Sequence, residues 1–163
     1  GTEKPETGVM DKPPRSTKDT LLNKPLFIKA FLWYGLLESI ICMAAYFFVN
    51  RTLVASGLIY RQATTMTLAS IVFCQIGMVL NCRTEKQSVF KAGLFSNRRV
   101  LFGIVFEVCL LSALIYVPFL QGIFNTAAIG LRDWLFLIIL PFPILLLEET
   151  RKAITRRIDH KKK

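Results

Sequence analysis

The chain has 163 residues, of which 53% are hydrophobic, yet it carries a formal net charge of +10. Such a charge is compatible with a nucleic-acid partner, but a mean hydropathy of +0.45 excludes a soluble nucleic-acid binder. No soluble domain with a core of its own fits in what the apolar stretches leave over.

Residues 1–25 form a proline- and charge-rich arm containing Glu3-Lys4-Pro5-Glu6 and Met10-Asp11-Lys12-Pro13-Pro14-Arg15. Proline fixes φ and removes a backbone donor, so the arm is expected to be extended. No methionine precedes Met10 and no secretory signal precedes the first apolar stretch, which points to a piece of something longer. Asp19 or Asn23 is placed to cap the helix that follows.

Four apolar stretches come next, at about 26–49, 65–81, 100–119 and 131–147. Crossing a ~30 Å hydrocarbon core takes about 20 apolar residues, so each is predicted to be a transmembrane helix. The fold class expected is an all-α membrane protein whose four-helix domain covers 26–147, with a basic tail at 148–163. The second stretch is the most polar, with Thr64, Thr65, Thr67, Ser70, Gln75 and Asn81, and its small residues Ala69, Ser70 and Gly77 suit tight helix packing in lipid. Between the second and third lies a basic loop in which Phe90, Leu94 and Phe95 are expected as interfacial anchors. Tyr116 and Pro118 mark the far end of the third stretch. From Trp134 to Leu147 the fourth rises only about 21 Å at 1.5 Å per residue. It also holds Pro141 and Pro143, which are expected to kink or partly unwind it. In the tail, Glu148 and Lys152 stand at i,i+4, favouring a helix that continues beyond the bilayer.

The basic residues sort by loop. Six precede or enter the first stretch, five lie between the second and third, and seven follow the fourth, while only Arg51, Arg61 and Arg132 occupy the two remaining loops. The positive-inside rule then places both termini in the cytoplasm, most simply at the plasma membrane. Cys42, Cys74, Cys82 and Cys109 show neither CxxC spacing nor a histidine partner, so they are expected to be small buried helix residues rather than a metal or disulfide set. His160 belongs with the lysines of a solvated end.

No GxxxxGK[ST] loop, HExxH pair or Ser/His/Asp set is present, so no catalytic residue is assigned and the chain alone is expected to lack ATPase activity. Three intramembrane polar residues are candidates for auxiliary ion binding: Glu38, Gln75 and Glu107. A carboxylate within a span costs a few kcal/mol unless it is paired, protonated or facing water. Glu107 is thus either an ion ligand or a structural acid, neutral on a neighbouring helix or reached by Arg98 or Arg99. Gln75 offers one carbonyl oxygen to a cation, or an interhelical hydrogen bond. Glu38 is read first as a structural pair, and Asn81 and Arg83 as a cap and a lipid contact. No metal site is assured.

In order along the chain, Met10-Asp11-Lys12-Pro13-Pro14-Arg15, Gln62-Ala63-Thr64-Thr65-Met66-Thr67, Phe73-Cys74-Gln75, Asn81-Cys82-Arg83-Thr84-Glu85 and Leu147-Glu148-Glu149-Thr150-Arg151-Lys152 resemble the last four membrane helices of P-type cation-transporting ATPases. The resemblance covers nearly the whole chain and is most specific at the MDKPPR segment. It implies a supporting portion of an ATP-driven cation pump, with ATP and Mg bound by domains absent from this chain, which has no DKTG phosphorylation sequence. Partners implied are the lipid bilayer, the pump's remaining domains and the transported cation. Gln75 falls where calcium pumps of the sarcoplasmic type place a site glutamate and sodium/potassium pumps a glutamine. Glu107 falls at or beside a ninth-helix glutamate linked to a third sodium site, while Met78 stands where that site requires an aspartate. The alternatives are a self-standing four-helix membrane protein that binds or regulates a partner, and a small oligomeric transporter using Glu38 and Glu107.

Overall fold

A computed structural model describes residues 24–51, 57–84 and 87–161. The MDKPPR segment, the cap candidates Asp19 and Asn23, and Glu85 and Lys86 lie outside the described residues, as do the side chains of Lys24, Lys29 and His160. All regular structure among the described residues is helical: α1 (Lys24–Ile28), a π-helical stretch (Lys29–Gly35), α2 (Leu36–Val49), α3 (Gly57–Cys82), α4 (Val89–Ala92), α5 (Arg98–Tyr116), α6 (Pro118–Phe124), α7 (Leu131–Ile139) and α8 (Pro141–Lys161). Among the described residues, three segments are long and apolar enough to cross a membrane, Leu26–Val49, Gly57–Cys82 and Arg98–Tyr116.

Local chemistry sets the helix ends. At the start of α5, the Asn97 carboxamide oxygen accepts the backbone N–H groups of Arg99 (3.0 Å) and Val100 (3.4 Å), satisfying donors that the first turn leaves open. The helix stops at Tyr116 rather than running to residue 119. Val117 precedes a proline and is held extended (φ −82°, ψ 116°), and Pro118 then opens α6 from its first turn. α6 ends where Asn125 adopts the left-handed conformation at φ 53°.

The fourth apolar stretch is two helices. α7 closes on a tight bond from Leu140 N–H to the Leu137 carbonyl (3.1 Å). α8 begins at Pro141, so Pro141 and Pro143 both fall in its first turn, where a missing N–H costs nothing. The two prolines therefore divide the stretch instead of bending a single helix.

α3 is the central element. It packs against α2, α5, α7 and α8, and its Met66, Ala69, Phe73, Ile76 and Leu80 form the core with Leu111 and Ile115 of α5, Ile129, Leu137, Leu140 and Leu145. Phe73 meets the Trp134 ring edge-on at 6.1 Å, and Phe48 of α2 stacks on Phe136 at 4.3 Å with the Arg132 guanidinium over its ring. Opposite this core, Leu36, Ile40 and Met43 of α2 and Phe102, Phe106 and Leu110 of α5 are exposed. Apolar faces this continuous match a lipid solvent better than water.

Several expectations are corrected. Cys42 and Cys74 are buried, but Cys82 and Cys109 are exposed. Arg83 does not reach outward. Its guanidinium donates to the carbonyls of Gly93 (3.0 Å) and Leu94 (2.7 Å) and to the Ser96 hydroxyl (2.6 Å), folding the basic loop onto the end of α3. Asn81 is 1% exposed and donates across to the Ile144 carbonyl (3.2 Å) of α8. Of the expected anchors, Phe90 and Phe95 are exposed, while Leu94 packs against the core.

Candidate functional site

Glu38, Gln75 and Glu107 lie on three helices, and α3 fixes their relation. Cys74, Gln75 and Ile76 are consecutive, so their side chains point about 100° apart around the helix. Cys74 is buried against α2, where its thiol meets Cys42 and lies within electrostatic reach of Glu38. Ile76 and Val79 form one wall of a groove of about 320 Å³ whose other wall is Val100, Gly103, Ile104 and Glu107 of α5. Gln75 stands between these directions, exposed, one helical turn before Val79 on the same face.

Gln75 is thus exposed between the α2 side, where Glu38 lies within electrostatic reach of Cys74, and the groove that Glu107 lines, and α3 residues 74 to 79 span only about 7–8 Å of helix axis. Glu38 and Glu107 are each half-buried. Among the described residues no hydrogen bond or ion pair joins the three, and none joins Glu107 to Arg98 or Arg99, which lie about 12–14 Å away along α5. Nor does any group of three or more His, Cys, Asp and Glu residues form a metal site among the described residues. The three side chains offer two carboxylates and one amide oxygen, fewer ligands than the six to eight of a hard cation such as calcium.

A family model described as "Cation transporting ATPase, C-terminus" matches residues 1–154. The chain belongs to this family. The cation-ATPase C-terminal chain is 34% identical over 157 residues to "Calcium-transporting ATPase 1" of Schizosaccharomyces pombe, covering 96% of this chain and 17% of that protein. It is 33% identical over 156 residues to human "Calcium-transporting ATPase type 2C member 1" (96% and 16%) and 32% identical over 152 residues to "Calcium-transporting ATPase 1" of Yarrowia lipolytica (93% and 16%). It thus spans about a sixth of the length of these curated relatives.

Two polar clusters of the cation-ATPase C-terminal chain escape a reading of its sequence. At the basic end, Lys152 is fully buried, and its ammonium donates to the Asn81 carbonyl and the Thr84 hydroxyl, both at 2.9 Å. Asn81 is in the last turn of α3, whose carbonyls lack helical partners and carry the negative end of the helix dipole. Glu148, 1% exposed, binds Arg151 through two oxygens at 2.6 and 3.0 Å, and the Glu149 carboxylate accepts the Val89 N–H at 2.8 Å. The i,i+4 spacing of Glu148 and Lys152 is visible in the sequence, but their burial is not.

At the opposite end the segment 125–130 is tied to the first turns of α3. Arg61 donates to the Thr126 carbonyl (2.5 Å), Gln62 to the Ala128 carbonyl (3.1 Å), and the Thr65 hydroxyl accepts the Ala127 N–H (2.9 Å). Tyr116 donates to the Ile129 carbonyl (2.9 Å) and accepts the Trp134 indole N–H (2.7 Å). These clusters hold the two ends of α3, while Gln75, between them, is exposed.

Proposed function

We propose that the chain is the C-terminal membrane portion of an ATP-driven cation pump and that it supports the pump's ion-binding helices. In this reading it crosses the bilayer four times, α7 with the start of α8 making the fourth crossing, and its basic end faces the cytoplasm. The sorting of basic residues supports that orientation, and an anionic cytoplasmic leaflet such as that of the plasma membrane suits it.

One observation carries the reading: Gln75 is exposed at mid-helix, where lipid offers an amide no partner. An exposed Gln75 between Glu38 and Glu107 calls for further helices of the same protein, toward which these groups present auxiliary oxygens for the cation. Calcium is the cation proposed, because the similar proteins carry calcium transport in their names. ATP and Mg are bound outside this chain, and hydrolysis of the ATP supplies the energy of transport.

The test is ATP-driven calcium uptake into sealed vesicles containing the complete protein, with Gln75→Leu compared with wild type. The expected result is a several-fold rise in the calcium concentration for half-maximal uptake, with the protein still folded by gel filtration. Unchanged calcium dependence, or no ATP-driven uptake in the wild type, overturns the reading.

A further inference from the structure

The connection from α5 to α7 has no charge: none of the residues between Glu107 and Arg132 is acidic or basic. Its large apolar side chains Phe119, Ile123 and Phe124 are nevertheless exposed, as is Leu131 at the start of α7. Its polar groups turn inward instead. At the end of α5, carbonyls that water satisfies at an open helix terminus take their donors from the chain itself. The Val117 N–H donates to Ala113, the Thr126 hydroxyl to Leu114 and the Gln121 amide to Ile115. Because Thr126 returns to a carbonyl 12 residues earlier, the chain doubles back over the end of α5, and α6 does not extend that helix. Internal satisfaction of this kind is what backbone in lipid requires.

The depth of α6 follows from α3. The Arg61 guanidinium donates to the carbonyls of Gln121 (3.4 Å) and Thr126 (2.5 Å), which ties the end of α6 to the first turns of α3. From Arg61 to Asn81, where Lys152 closes the basic end, α3 rises about 30 Å at 1.5 Å per residue, the thickness of a hydrocarbon core. That places α6 level with one boundary of the core. Along α5, the exposed row Phe102, Phe106 and Leu110 ends at Val117, which is exposed as well, so α6 begins where the lipid-facing row of α5 stops.

We propose that α6 is an in-plane membrane helix whose partner is the acyl-chain surface of the leaflet opposite the basic loop. Phe119 and Ile123, four residues apart on one face, enter the boundary between acyl chains and headgroups, and Phe124 widens the patch. Gly122 is about 100° from Ile123 around the helix, at the water edge. Acyl chains fit this surface because it has no charge and continues the apolar row of α5 at the depth of the boundary. Glu107 lies nine residues before Tyr116, about 13–14 Å along α5. An anchored α6 thus holds that carboxylate about half a core thickness from the boundary, near the bilayer centre. The inference rests on α5 crossing the bilayer.

The experiment uses the complete protein in phospholipid vesicles, with single nitroxide labels at Phe119→Cys and Ile123→Cys in a Cys82→Ser, Cys109→Ser background. Phe106→Cys is the reference for the crossing and Arg157→Cys the reference for water, and the background alone reports any label on Cys42 or Cys74. Collisions are measured with oxygen, which concentrates in lipid, and with a neutral nickel chelate, which stays in water. At 119 and 123, oxygen collisions should exceed chelate collisions several-fold, as at 106, and the ratio should reverse at 157. Chelate-dominated collisions at 119 and 123 with oxygen-dominated collisions at 106 overturn the in-plane helix, whereas chelate-dominated collisions at 106 overturn the crossing itself. Labels at 119 and 123 shielded from both reagents mean that protein covers α6, which also overturns the proposal. Phe119→Trp with all four cysteines gives a check without labels: the emission it adds to wild type should be quenched in vesicles of acyl-brominated lipid, and unquenched emission overturns the proposal.

Discussion

Gly77 of α3 packs directly on the backbone of Pro141, the first residue of α8: a Cβ added at Gly77 would lie 3.2 Å from both the Cα and the carbonyl oxygen of Pro141. That is closer than a methyl group normally approaches, and backbone atoms cannot turn aside as a flexible side chain can. Gly77→Ala should therefore destabilise the protein by about 1–3 kcal/mol through overpacking, with up to about 1 kcal/mol regained from better helix propensity. Gly77→Val should cost more. Gly103 on α5 is the matched control, since an added Cβ there meets nothing within 4 Å. Thermal unfolding in detergent should show a lower midpoint for Gly77→Ala and none for Gly103→Ala.

Lys152 tests whether the basic end is held by a buried cation. Lys152→Met keeps the length of the side chain but deprives the Asn81 carbonyl and the Thr84 hydroxyl of a donor. Orphaning buried acceptors costs about 1–3 kcal/mol. The loop after α3 should loosen first, because Arg83 holds it to the same helix end. Limited trypsin digestion should cut among residues 83–99 several-fold faster in Lys152→Met than in wild type. Equal digestion rates would show that the ammonium is not what closes this end.

How far the sequence alone reaches is seen at the helix ends. The first span is legible because residues 26–49 are apolar apart from Lys29, Glu38 and Ser39. α3 begins at Gly57, eight residues before the stretch read from hydropathy, because Tyr60, Arg61 and Gln62 look like a loop. Two of those polar side chains bond segment 125–130, a partner more than 60 residues away that no local pattern reveals. Cys82 and Cys109 show the converse limit. Their place in an apolar run, or at the end of one, marks a helix but not which face is covered. Glu38, Gln75 and Glu107 are visible as polar residues in apolar runs, whereas their placement about α3 depends on how α2 and α5 pack.

The topology can be read with single cysteines in a Cys82→Ser, Cys109→Ser background. Ser96 lies in the basic loop before α5, and Gly122 in α6 at the other end, where an added side chain meets nothing. A membrane-impermeant maleimide should label Ser96→Cys only from the cytoplasmic side and Gly122→Cys only from the opposite side. Labelling of both from one side would remove the third crossing, and with it the four-span arrangement.

Thr64 and Thr65 separate a hydroxyl that joins two parts of the chain from one that serves only its own helix. Thr64 donates to the carbonyls of Tyr60 (3.1 Å) and Arg61 (3.0 Å), both within α3. Thr65 donates to the Arg61 carbonyl (2.7 Å) and also accepts the buried Ala127 N–H (2.9 Å) from the segment before α7. Thr65→Val leaves that N–H without an acceptor, at a cost of about 1–3 kcal/mol, whereas Thr64→Val removes only intrahelical bonds and should fall within about 0.5 kcal/mol of wild type. Hydrogen exchange should report the difference locally: the Ala127 amide loses most of its protection in Thr65→Val and keeps it in Thr64→Val. Equal protection in both variants would mean that the arginine and glutamine contacts alone suffice to hold the segment against α3.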